Sequence, residues 1–252
     1  MANPVLENQF GSVSAGADAA LQTAAPPIVA DADRMTMGSV LTSTGTLLIL
    51  VMAGAAWGWA NAVLVQRWYW LFFIVLIGLV ILTVTRPQFA IFTGAVYSLG
   101  QGAFVGSISK VYETFYDGIV FQAVLATFAV FVAMLFLYAT RIVKVTQKVR
   151  SVIIIATVGI GLFYLFSFIL SLFGAGIPVL GGAGTGALIF SAVVVIVASL
   201  NLLLDFEVIE RGIRAGAPKV FSWFAAFGLM VTIVWLYIEI LRLLAIIAAR
   251  RQ

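Results

Sequence analysis

Asp205 stands in the stretch NLLLDFEVIER, residues 201–211, at the point where a long uncharged run ends. An ionised carboxylate is costly in hydrocarbon, so an acid there must be paired, protonated, at a boundary, or turned towards water. Held among apolar helices, such a group can coordinate a cation or exchange a proton. Helical spacing sorts the acids of the stretch. Glu207 has Arg211 four residues ahead and Glu210 has Arg214 at the same offset, the favourable order for side-chain pairs, which places these four on a solvated face. Asp205 has Val208 and Ile209 at those offsets and shares its face with Asn201, so another helix must supply its partner.

A second polar line lies in FGLMVTIVWLYIEILRLL near the C-terminus. Thr232, Trp235, Glu239 and Arg242 follow at intervals of three, four and three, one stripe on an otherwise apolar helix. Intramembrane acids face a bundle interior or a watery cavity, so this helix is expected at the centre. Glu239 reads either as a local ion pair with Arg242 that sets the rotation of the helix, or as a carboxylate that coordinates an ion or accepts a proton. Asp205 reads either as an interfacial acid hydrogen-bonded to helix ends, or as a gating, proton-sensing acid with Arg86 as its cation. If a metal ion binds, Asp205 and Glu239 are the candidate ligands.

Those side chains must be positioned by membrane helices. Of the 252 residues 63% are hydrophobic and 10% are charged, against about 25% charged in soluble domains, which excludes an ordinary soluble protein. The chain has no Cys and no His, which removes disulfides, thiolate chemistry, imidazole ligands and histidine-based triads or proton relays. HExxH, GxSxG and Walker-type motifs are also missing, and no lysine for a retinal Schiff base lies between Phe221 and Ile247. An enzyme is not expected, nor a cofactor. The net charge of +4 comes from basic residues beside apolar segments, as membrane orientation requires, and no nucleic-acid partner is expected.

Seven segments approach the roughly 20 apolar residues that a spanning helix needs. They are 40–64, 69–85, 89–109, 117–139, 151–173, 186–205 and 221–247, preceded by an Ala-, Asp- and Pro-rich tail over 1–35 that has little to bury and is expected to be disordered. The expected architecture is an all-α integral membrane protein, one domain over 36–252, of seven transmembrane helices with the last one central. Nine Lys and Arg residues near the spans fall on the N-terminal side, against Arg67, Lys110, Arg250 and Arg251 on the other, so the positive-inside rule puts the N-terminus and the basic run RIVKVTQKVR (141–150) in the cytoplasm. The uncharged loop GAGIPVLGGAGTG at 174–186 is then external, and reads as a flexible turn or a partly re-entrant segment. Ala90, Gly94, Ser98, Gly102 and Gly106 recur every four residues in the third span, a face on which another backbone can approach closely, and Gly54 and Gly58 form a weaker pair in the first.

In their order and spacing, MTMGSVLTSTGTLLILVMAGAAWGW, YSLGQGAFVGSISKVYETFYDGIVFQ, ASLNLLLDFEVIE and APKVFSWFAAFGLMVTIVWLYIEILRLL resemble the bacterial branch of the Bax inhibitor-1 family, also called the YccA-like or transmembrane Bax inhibitor motif family. The resemblance implies a bundle of six helices around the seventh, in a bacterial cell membrane. It also implies a pH-sensitive calcium leak channel, in which two acids from the last two helices share a proton and an arginine helps hold the pore shut. Asp205 matches the first acid. The second falls at or near Thr232, which cannot ionise, so either Glu239 replaces it or the two-acid sensor is lacking. A cation pathway, with calcium as the possible permeant ion, could draw oxygen ligands from Asp205, Asn201, Thr232 and Glu239. The alternative function is a non-conducting membrane regulator or stress protein that binds a membrane protease or another membrane partner through its tail and its basic loop.

Overall fold

In a computed structural model of the chain, residues 34–173, 182 and 184–251 are described. The tail expected to be disordered therefore lies almost wholly outside the described residues, as does most of the loop at 174–186. The transmembrane unit, which begins at Met35, contains seven long helices among the described residues: α1 Met37–Ala60, α2 Tyr69–Thr85, α3 Ala90–Phe115, α4 Ile119–Ala139, α5 Gln147–Leu172, α6 Thr185–Arg214 and α7 Val220–Ala249. Six are long and apolar enough to cross a membrane. The exception is α2, whose 17 residues make about 26 Å of helix against a hydrocarbon core of about 30 Å. A short helix, Ala62–Arg67, precedes it, and a single 3-10 turn, Pro87–Phe89, follows it. The chain is an all-α multi-pass membrane protein.

Several boundaries differ from the sequence reading, among them the third span, which runs on to Phe115, and the fifth, which starts at Gln147, and two have identifiable reasons. The first span ends at Ala60, and Asn61 caps it by donating from its side chain to the Trp57 carbonyl at 3.0 Å. The sixth runs nine residues past Asp205, to Arg214. Its polar extension carries the two Glu–Arg pairs, Glu207 with Arg211 at 3.5 Å and Glu210 with Arg214, which support helix where the apolar pattern has stopped.

The last helix is central because its surface is enclosed. No residue from Ser222 to Ala249 is exposed, whereas every other long helix presents large exposed apolar side chains. Met230, Leu236 and Leu241 of α7 are fully buried. One apolar cluster joins α7 to α1, α4 and α6 through Val40, Ala123, Leu202 and Leu229, and a second joins it to α1, α2 and α3 through Leu47, Leu76 and Tyr97.

The closest helix contact is between α1 and α3, and it follows from the small-residue faces. A Cβ at Gly54 would overlap the Leu99 carbonyl and one at Gly58 the Ala103 backbone; from the other side, Gly102 meets the Val51 carbonyl and Gly106 the Ala55 carbonyl. Four glycines thus interlock two backbones, which is how helices gain contact in lipid, where burial alone provides little drive. Gly94 belongs to the same seam but faces the Leu47 and Phe227 side chains at 3.6 Å, so the seam passes from backbone contact with α1 to side-chain contact with α7.

Substitution separates these glycines. Gly58→Ala forces α1 from α3 and is expected to lower stability by about 1–3 kcal/mol. Gly159→Ala, where nothing lies within 4 Å of the added Cβ, is expected to be neutral or stabilising by up to about 1 kcal/mol through helix propensity. Thermal unfolding of the two variants in detergent reads the difference.

Candidate functional site

The polar residues of α7 serve two different sites. Thr232 and Gly228 face Asp205 of α6. A Cβ at Gly228 would lie 3.9 Å from Asp205 Oδ1, and the Thr232 hydroxyl makes a polar contact with the same carboxylate while also donating to the Gly228 carbonyl at 3.2 Å. A Cβ at 3.9 Å would make only an ordinary van der Waals contact, so Gly228 marks where α7 lies beside the acid. Asp205 Oδ2 is buried and has no hydrogen-bond partner among the described residues. Leu202, Leu203, Phe206 and Leu229 are buried around it, so the acid sits in apolar packing on the α6–α7 seam and not in the solvated face one turn on.

Glu239 is placed elsewhere. Its side chain is 4% exposed, and its Oε1 accepts a 2.6 Å hydrogen bond from the hydroxyl of Tyr164 on α5. Arg242 donates to that same hydroxyl at 3.1 Å and lies 3.9 Å from Glu239 Oε2. Guanidinium, phenol and carboxylate thus cluster between α5 and α7, with Glu239 Oε2 buried and without a hydrogen bond among the described residues. Phe190 of α6 covers it, with the guanidinium 5.7 Å from the ring centroid and the Tyr164 ring perpendicular to the Phe190 ring at 6.0 Å. The indole of Trp235 also reaches the Glu239 carboxylate. The local pair with Arg242 is present, inside a larger cluster.

Of the residues singled out in the sequence, Asp205 and Thr232 are brought together, as are Glu239 and Arg242, but the two sets are separate. Thr232 and Glu239 are seven residues apart, about 10 Å of helix, so Glu239 does not take a second acid's place beside Asp205. Asn201 turns to α5, donating to Thr157 Oγ1 at 2.7 Å and to the Val197 carbonyl at 2.9 Å. Arg86 caps α2, is exposed, and forms no ion pair with Asp205 among the described residues. Nor does any group of three or more acidic side chains that could hold a metal ion occur among them.

Sequence reasoning missed Tyr164, one aromatic among many in α5, whose hydroxyl is assigned a role only by contact with α7. It also missed that Glu210 is shared. Besides Arg214, Glu210 accepts from the Tyr138 hydroxyl and the Arg141 guanidinium, which tie the end of α4 to α6. Arg141 reaches it from a left-handed backbone conformation, φ 58°. Outside the spans, the neighbouring Glu210 carboxylate raises the Arg141 pKa above its ordinary value, so that pair stays charged.

These features define a polytopic α-helical membrane protein with an enclosed central helix that carries one underbonded acid contact and one acid–phenol–guanidinium cluster. The family model described as Bax inhibitor 1 like matches residues 3–249, nearly the whole chain, and the protein belongs to that family. No curated protein and no solved structure matches the chain.

Removing one member of the buried cluster strands another. Arg242→Met should destabilise the protein by about 3–5 kcal/mol because it leaves a buried carboxylate without its cation, and adding Glu239→Gln should recover part of that loss. Unfolding of the single and double variants in detergent tests this; a double variant no more stable than Arg242→Met would mean that the two groups are not coupled.

Proposed function

We propose that the protein is a passive cation leak pathway along the α6–α7 seam, with calcium as the permeant ion, no enzymatic activity, and Asp205 as the gate. The observation that carries this reading is the carboxylate of Asp205 turned to Gly228 and Thr232 of the enclosed helix, with one buried oxygen left without a hydrogen bond. A buried acid with a spare acceptor is suited to take a proton or a hard cation in place of the missing donor. The ligands within reach are the carboxylate, the Thr232 hydroxyl, backbone carbonyls and water. So few ligands suit transient passage better than retention, because conduction requires binding weak enough to release.

With Thr232 opposite Asp205, a proton shared between two carboxylates is replaced here by a single acid beside a hydroxyl. Protonation of Asp205 alone then changes the charge of the gate. The Glu239 cluster, held by Tyr164 and Arg242, anchors the central helix and takes no part in gating.

Purified protein in proteoliposomes should leak calcium, and Asp205→Asn should change the flux by about ten-fold or more, the effect of about 1.4 kcal/mol on a barrier. Since the amide mimics a protonated acid, wild-type flux should approach that of the variant as pH falls. Silence of wild type and variant at every pH would reject the pathway and leave the non-conducting regulator as the reading.

We also propose a bacterial cell-membrane location with the N-terminus in the cytoplasm, supported by the nine-to-four excess of basic residues at that end. Because the chain has no native cysteine, Lys148→Cys and Arg251→Cys give clean reporters. An impermeant thiol reagent added outside intact cells should label Arg251→Cys and spare Lys148→Cys.

A further inference from the structure

The end of the bundle that carries the α1–α2 and α3–α4 connections contains two adjoining cavities of opposite chemistry. The inner one, about 530 Å³, lies between α1, α3, α4 and α7. Its hydroxyls are already engaged: Ser109 donates to the Val105 carbonyl at 2.8 Å and shares a 2.7 Å hydrogen bond with Tyr237, and Thr127 donates to the Ala123 carbonyl at 2.7 Å. With its polar groups satisfied, the wall favours an apolar occupant over water. Met52, Val124 and Phe128 line it and are exposed on the membrane-facing side, so it opens laterally. From Leu48 to Trp59, both in its wall, α1 advances about 16 Å towards the bundle end.

Trp59 also lines the second cavity, about 620 Å³, formed by the short helix Ala62–Arg67 and the last turns of α3. That lining includes Arg67 and Lys110 and no acid, and both cations are exposed and without an ion pair among the described residues. The Lys110 ammonium sits 5.0 Å from the centroid of the Trp59 ring, at the junction of the two cavities. Four of the six tryptophans, Trp57, Trp59, Trp68 and Trp70, fall between residues 57 and 70. Such an aromatic belt marks the headgroup level of a bilayer.

We infer that this pair of cavities is a binding site for an anionic phospholipid, with the phosphate between Arg67 and Lys110 and one acyl chain running past Trp59 into the apolar cavity. Charge complementarity selects the headgroup, and the adjacency of the two cavities, which share Trp59 in their walls, suits a molecule that is anionic at one end and apolar at the other. A free phosphate would use only the outer cavity and a neutral lipid only the inner one. The bound chain would lie against Ile233 and Val234 of the central helix, so occupancy is sensed by α7.

The test is native mass spectrometry of the full chain released from bilayers of equimolar phosphatidylglycerol and phosphatidylcholine with identical acyl chains. The wild type should retain phosphatidylglycerol preferentially, and Arg67→Gln with Lys110→Gln should reduce that preference by about five-fold per cation removed. Ala56→Trp, which fills the inner cavity from its exposed side, should lower retention of both lipids, and millimolar inorganic phosphate should displace neither. Equal retention of the two lipids by the wild type overturns the proposal without reference to any variant. An unchanged preference in the double variant, or displacement by inorganic phosphate, overturns it as well.

Discussion

A carboxylate and a guanidinium one turn apart on an apolar helix cannot both face lipid, and this constraint organises the bundle. Glu239 and Arg242 require α7 to be surrounded, and it is: its surface is covered from Ser222 to Ala249 while the outer helices carry the lipid-facing side chains. Enclosure alone would leave two charges desolvated. Tyr164 completes the arrangement, because its hydroxyl donates to the carboxylate and accepts from the guanidinium, giving each charge a hydrogen bond in addition to their mutual attraction.

Enclosing one helix within six requires close approach somewhere in the ring, and the α1–α3 contact supplies it. With Gly54 and Gly58 set against Gly102 and Gly106, two backbones nearly touch. The apolar cavity borders the same interface, since its wall includes Ala55 and Gly106.

Local spacing made much of this legible in the sequence. The positions of all seven long helices, the pairs Glu207–Arg211 and Glu210–Arg214, and the glycine faces all rest on residues three or four apart in one helix, where geometry follows from periodicity. Partners drawn from other helices were not legible. Asn201 was placed on the Asp205 face, which one helix can show, but its bond to Thr157 depends on how α5 leans against α6. Arg86 was paired with Asp205 because both belong to the same end of the bundle; shared depth says nothing about azimuth, and Arg86 caps α2 facing outward. The stripe on α7 reads as one line and stays on nearly one face, but Thr232 and Glu239 lie about 10 Å apart along the axis, and the neighbour each meets, α6 for Thr232 and α5 for Glu239, changes with that depth.

That division bears on where the bundle can open. At Glu239, separating α7 from its neighbours breaks the Tyr164 bond, leaves the ion pair without its bridging hydroxyl, and strips the Phe190 ring from the guanidinium. At Asp205 the polar contact across the seam is with Thr232, within the apolar packing of Leu202, Phe206 and Leu229. The same end of α6 is fastened to α4 through Glu210, which Tyr138 and Arg141 both reach. Polar contacts are therefore dense within the α4–α6 pair and sparse between that pair and α7 at the level of Asp205. What holds the seam there is apolar packing, since Ala123 of α4 and Leu202 and Phe206 of α6 share one buried cluster with Leu229 and Leu236 of α7.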